Sequence, residues 1–447
     1  MVFRIAAAAL AMLAFASPAR ADDGSAAEQD PFAFADWTWL SGNPRTHDSP
    51  LGNQYVTGEF RVDDVFQYSF NHPKDDTIVG STEAWRSGEN QLTQLGVGGD
   101  LHVDRVQMRV MTQLGLMATT TPRDDASPAR GQWDLADAYR YLAEAYGGYH
   151  FGDPHRGVNI QAGLFMSYIG LWSAYNFDNW TYQPSYVSSN TPWFFNGARL
   201  QWFATDRLKI EPWLVNGWQS YGRFNSLPGV GGQILWRPNG RLSLVGNQYF
   251  VGADTLDNAA RRRIHTDDSV QYKWYENPDG AITRFATTLT VDVGCEYGGG
   301  VSCADGNRAA PSQYFVGFMA YGRVWFGEHY AVTYGGGAIT NPGRYLVLLP
   351  SINGATAASG TPYFTENPGD PFKGWDNQLT FDYMPAQYIT LRAELGYRHA
   401  SVPYFSGSGG VTPPGGNQGA PGSLVQGWAP DLVKDEPRAT LALLVKI

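Results

Sequence analysis

Apolar and polar residues alternate through residues 374–400. Ile389, Leu391, Ala393, Leu395 and Tyr397 fall on one side, and Thr390, Arg392, Glu394, Gly396 and Arg398 on the other. Side chains of a strand point to opposite faces in turn, so the run predicts one apolar and one charged wall. Before it, Leu379, Phe381 and Tyr383 alternate with Thr380 and Asp382, and Met384-Pro385-Ala386-Gln387 makes the turn. A soluble antiparallel sheet with an apolar core has the same pattern. Repetition of the hairpin along nearly the whole chain favours a membrane barrel.

Strand runs are expected at 59–70, 91–101, 105–116, 139–151, 158–168, 195–204, 208–219, 229–236, 241–251, 263–276, 282–296, 313–326, 329–339, twice within 374–400, and at 438–447. The fold class is all-β, a transmembrane antiparallel up-and-down barrel of about sixteen strands, within roughly 14–18. From residue 91 onward short turns alternate with longer connections, the asymmetry of tight periplasmic turns and longer outer loops. A soluble sandwich has no reason to sort loop lengths by side. The last run places Ala439, Leu441, Leu443, Val445 and Ile447 on one face, suited to closing the barrel against the first strand. It ends on Ile447 where outer-membrane barrels usually end on an aromatic residue.

Residues 5–16 are almost all apolar, follow Arg4 and precede Ala19-Arg20-Ala21, which reads as a secretory signal over 1–21. Its removal takes Arg4 and Arg20, leaving 30 Lys and Arg against 42 Asp and Glu, a net charge of −12. Such a balance gives no footing for nucleic acid. Apart from the signal, no stretch approaches the ~20 apolar residues of a spanning helix. Abundant Trp, Tyr, Phe and Gly (15, 25, 23 and 52) suit a barrel with one greasy and one wet face. Residues 22–58 form a linker and an aromatic segment around Phe32, Phe34, Trp37 and Trp39, readable as an extra strand, a plug or a periplasmic anchor. The barrel proper is expected over 59–447.

The stretch Gly163-Leu-Phe-Met-Ser-Tyr-Ile-Gly170, with Tyr175-Asn176, Gly197-Ala-Arg199 and Val215-Asn-Gly-Trp218, resembles the β-barrel porins of the OmpL-like type. Asp36-Trp37, Phe66-Gln-Tyr68 and Asn71-His72-Pro73 carry the likeness toward the N-terminus. The resemblance implies a Gram-negative outer membrane and pore formation, with no settled substrate and no catalytic residues.

Arg105, Arg109, Arg284, Arg323, Arg392 and Arg398, with Glu211, Asp292, Asp382 and Glu394, fall on the polar faces of their runs. They either line a lumen and select solutes by charge and size, or pair across neighbouring strands. The loop 171–191 holds Trp172, Tyr175, Phe177, Trp180, Tyr182 and Tyr186, with Asp178 its only acid. It either folds into the pore as a constriction or caps the rim. Cys295 and Cys303 are assigned to one outer loop, where an exported chain is expected to close a disulfide. Arg261-Arg262-Arg263 either meets lipopolysaccharide phosphates or is simply solvated. Asp75-Asp76, Asp124-Asp125 and Asp267-Asp268 are candidate calcium ligands or plain solvated pairs.

No His-x-x-x-His, Gly-x-Ser-x-Gly or phosphate-cradling glycine loop occurs, so no metal, cofactor or enzymatic role is expected. The reading is a porin passing small hydrophilic solutes and ions, set in outer-membrane lipid and lipopolysaccharide, with a homotrimer as the candidate assembly. A barrel enzyme, or an adhesive or structural barrel acting through its long outer loops, is the alternative.

Overall fold

The computed structural model describes residues 30–125, 127–253, 258–307, 310–343, 346–364 and 371–447. The signal segment 1–21 lies outside the described residues. The strands are β1 (Val56–Ser69), β2 (Glu89–Val103), β3 (Val106–Thr112), β4 (Leu142–Phe151), β5 (Gly157–Met166) and β6 (Phe194–Thr205). They continue as β7 (Leu208–Val215), β8 (Gly229–Asn239), β9 (Leu242–Gly252), β10 (Arg262–Glu276), β11 (Arg284–Tyr297) and β12 (Tyr314–Phe326). Then come β13 (Tyr330–Asn341), β14 (Phe372–Ala386), β15 (Ile389–Ala400), the two-residue β16 (Phe405–Ser406) and β17 (Leu432–Val433), and β18 (Asp435–Lys446).

Sixteen of these form one closed antiparallel barrel, each pairing with its neighbours in sequence, while β16 and β17 pair with each other in an outer loop. β18 closes the wall, pairing with β15 on one side and β1 on the other, where Asp64 stands opposite Leu443. No edge is left, as a sheet in lipid requires. No described helix is long and apolar enough to cross a membrane, which is no statement about strands.

The direction of the two walls decides between soluble sheet and membrane barrel. Leu395 and Leu441 are each 57 % exposed on the outside, whereas Arg392 and Glu394 are each 3 % exposed on the inside. A water-soluble sheet would bury the leucines. Here the apolar wall faces outward all round and the ionised one faces the lumen, the arrangement that hydrocarbon outside dictates.

Several boundaries differ from the sequence expectation. β3 stops at Thr112, and residues 117–123 form a short helix in the following outer loop. β7 stops at Val215, after which the chain leaves the wall. Cys295 lies within β11, as the expected run 282–296 has it, so the two cysteines do not share one outer loop.

Candidate functional site in the lumen

The loop between β5 and β6 does not cap the rim. It runs through the lumen, with residues 175–192 buried throughout. Its backbone polar groups must find partners there, and the charged wall supplies them. Glu394 accepts hydrogen bonds from the amides of Tyr182 (2.7 Å) and Gln183 (2.9 Å). Asp376 accepts from the amide of Tyr186 (2.7 Å) and the Ser185 hydroxyl (3.0 Å). Arg392 donates to the carbonyls of Asn176 (3.1 Å), Asn179 (2.6 Å) and Thr181 (2.8 Å), and Arg323 to that of Trp180 (3.1 Å). Both arginines also pair with Asp382 at 2.7 Å.

Loop side chains are tied to the wall as firmly. The Asp178 carboxylate meets the Arg61 guanidinium at 3.2 Å, and that guanidinium lies 4.0 Å from the centre of the Tyr175 ring. The Tyr175 hydroxyl donates to Glu144 (2.8 Å) and that of Tyr182 to Asp63 (3.1 Å). Trp172 donates its indole N–H to the Thr181 hydroxyl (3.0 Å), and Trp180 donates to the Trp39 carbonyl (3.2 Å).

The remaining wall charges are distributed as follows. Arg109 stands among Glu144 (2.9 Å), Asp100 (2.9 Å) and Glu59 (3.2 Å). Glu211 is held by Lys209 (2.5 Å) and Arg199 (3.5 Å). Asp292 contacts His265 in a fully buried pair. Arg398 donates to the hydroxyls of Ser81 (2.7 Å) and Ser189 (3.2 Å). Arg284, at the inner rim, faces Asp36 (3.5 Å) and Glu276 (3.8 Å). Arg105 is not on a strand: it lies in the exposed turn before β3 and donates to the Gly152 carbonyl (3.0 Å).

Arg61, Asp63, Asp376 and Arg438 belong to the same inner wall and were not singled out from the sequence. Their alternation with outward apolar neighbours was the available signal. Glu83, in the loop after β1, gave none. It is buried with a left-handed backbone (φ +56°), rare for a residue with a side chain.

The N-terminal segment enters the lumen from the side of the short turns. The Phe32 amide donates to the Asp206 carbonyl (2.7 Å), and Arg237 lies over the rings of Phe32 (5.1 Å) and Trp37 (4.6 Å). Deeper in, the Ser41 amide donates to the Gln271 side chain (2.9 Å) and the Gly42 amide to the Asp178 carbonyl (3.0 Å). Gly42 has φ +76°, and a Cβ there would stand 2.2 Å from the Leu171 carbonyl oxygen. Loop and segment therefore meet in van der Waals contact across the lumen.

Three cavities follow one another along this filled interior. The inner one, of about 390 Å³, is bordered by Arg45, Arg284, Arg323, Arg392, Asp178 and Asp382 among others. The central one, of about 260 Å³, shares Asn179 with it. The outer one, of about 220 Å³, shares Glu83 and Trp193 with the central one. One residue thus borders both the inner and the central cavity, and two border both the central and the outer one.

A profile of the family described as "Putative beta-barrel porin-2, OmpL-like" matches residues 56–420. The chain belongs to this family. No curated protein matches it. Among solved structures it is similar to OmpT of Vibrio cholerae (9 % identity, TM-score 0.48, covering 88 % of this chain and 97 % of that one). It is similar to the outer membrane channel DcaP of Acinetobacter baumannii (13 %, 0.48, 88 % and 97 %). A third is the anion-selective porin from Comamonas acidovorans (10 %, 0.45, 88 % and 99 %).

In this porin the disulfide joins Cys295 of β11 to Cys303 of the next loop (Cα–Cα 5.3 Å), tying the loop to the strand that precedes it. The arginine run is split by the same alternation that built the wall. Arg261 and Arg263 are buried and pair with Glu296 at 3.7 and 2.5 Å, and only Arg262 is exposed. A cluster of three outward guanidiniums for lipopolysaccharide phosphates is thereby corrected to one. The acid pairs do not assemble as metal ligands among the described residues. Asp75, for one, accepts from the amides of Val411 (2.9 Å) and Thr412 (2.7 Å), fastening two outer loops together.

Proposed function

We propose that this porin is a passive diffusion channel for small hydrophilic solutes and ions, and not an enzyme. It sits among the lipid and lipopolysaccharide of a Gram-negative outer membrane. Residues 1–21 act as a cleaved signal, the described residues 30–47 as a segment that narrows the lumen from the periplasmic side, and the chain from β1 onward as the barrel. A homotrimer is the assembly we favour. Arg109, Glu211, Arg284, Asp292, Arg323, Asp382, Arg392, Glu394 and Arg398 act as the lumen wall, and Trp172, Tyr175, Asp178, Trp180 and Tyr182 as its constriction.

The observation that supports this most is the loop held across a polar lumen by wall charges, with cavities of about 390 and 260 Å³ beside it. A loop fixed in the lumen sets a size limit without covalent chemistry, and the charges beside it set selectivity. The test is single-channel conductance of the refolded protein in a planar bilayer. Stable steps well above background are expected. Absence of any step from a heat-modifiable, folded barrel sinks the channel reading.

A further inference from the structure

The central cavity differs in kind from the inner one. Among the described residues that border it, Glu83 is the only Asp, Glu, Lys, Arg or His. Tyr168, Trp172 and Trp193 supply aromatic wall, and Asn176, Asn179 and Gln233 supply amides. The inner cavity has four arginines on its border.

Glu83 and Asp63 both accept hydrogen bonds from one amide group, the side-chain nitrogen of Asn176, at 3.0 and 2.8 Å. In this arrangement the nitrogen faces both carboxyls and the oxygen is turned away from them. The Asn176 oxygen is left with no hydrogen-bond partner although the residue is only 2 % exposed. A buried acceptor without a donor is costly and rare. Glu83 also stands at the partition to the outer cavity, so a solute moving inward passes it. The Gln67 side chain grips its carbonyl (2.7 Å) and keeps it there.

We propose that this cavity is a binding subsite for small organic cations carrying an ammonium group. The inference rests on the channel reading. The ammonium group supplies N–H donors to the Glu83 carboxylate and the Asn176 oxygen, and aromatic faces attract cations. Burial and the neighbouring Asp63 carboxyl push the Glu83 carboxyl well above the usual carboxylate range. The aromatic wall and the single acid give an organic anion of equal size no donor of comparable strength.

The test is a gradient of ethylammonium acetate across a planar bilayer holding the full-length protein, because its two ions are nearly equal in size. A reversal potential of the cation-selective sign is expected. Glu83→Gln is expected to lower the cation-to-anion permeability ratio about tenfold, the equivalent of losing one charge contact. Trp193→Leu, which keeps the carboxyl, lowers it less. Independently of any variant, ethylammonium titrated into the wild-type protein in micelles is expected to change tryptophan emission saturably. An anion-selective or zero reversal potential, or a ratio that Glu83→Gln leaves unmoved, overturns the proposal. If Glu83→Gln does not fold, a flat emission titration overturns it. A folded barrel carrying no current in ethylammonium acetate or in potassium chloride overturns the channel reading instead.

Discussion

Two segments fill the lumen of this porin, and they are held in different ways. The loop between β5 and β6 is fastened by acidic and basic side chains of β14 and β15 that bind its backbone directly: Asp376 takes one amide, Glu394 two, and Arg392 three carbonyls. The N-terminal segment leans on the short turns through rings and guanidiniums, and reaches inward with a few hydrogen bonds at Ser41, Gly42 and Arg45. Charge-assisted bonds in a buried setting are roughly twice as strong as neutral ones. The loop has the larger share of such bonds, and the segment has those of Arg45 and the Asp36–Arg284 pair.

Arg392→Ala should break that contrast most severely. It removes three bonds to the loop and strips Asp382 of one of its two arginines, a cost of about 3–5 kcal/mol for opening a buried pair. A lower temperature of heat modification and noisy, enlarged conductance steps are expected. Deleting residues 30–47 should act chiefly on flow. It removes the buried Trp39 and Leu40, so the heat-modification temperature is expected to fall, but by less than in Arg392→Ala, while conductance rises severalfold. An unchanged conductance would mean that the segment does not restrict flow.

Gly42→Val is a milder probe of the place where the two segments touch. Its side chain has to displace the Leu171 carbonyl, and valine is also ill-suited to φ +76°. Conductance is expected to rise by less than in the deletion, with the loop still in place. The smallest effect is expected at Asp75. Burial raises its pKa, but the bonds from Thr412, Val411 and Thr77 outweigh burial and hold the carboxyl below its usual value. A depressed pKa gives stability that is present at neutral pH and lost as the pH falls through the folded value. Limited proteolysis of the outer loop 401–434 should therefore quicken below the ordinary carboxylate range, and Asp75→Asn should remove that dependence.

How far the sequence carried this picture follows from the reach of a two-residue period. The alternation around Arg392 and Glu394 identified strand, face and lumen at once. The same alternation ran on through a two-residue turn and drew Arg105 into a strand that starts at Val106. Applied to Arg261 and Arg263 it would have turned both inward, but the run was taken as a cluster. Cys295 was assigned to the loop, although β11 reaches past it to Tyr297. What periodicity cannot contain is pairing at long range. Glu394 binds amides 211 and 212 residues away, so an aromatic loop reads the same whether it lies inside the barrel or on its rim. Glu83 was invisible for a related reason: its place is set by Gln67 and Asn176, not by any pattern in its own loop.

The position of Gly42 against Leu171 also makes the seat of the N-terminal segment a composite one. The segment around Gly42 lies on the inner side of the loop, against turns and strands drawn from β6 to β15. Residues far apart in the chain thus share one docking surface, which exists only where the closed wall and the loop inside it bring them together.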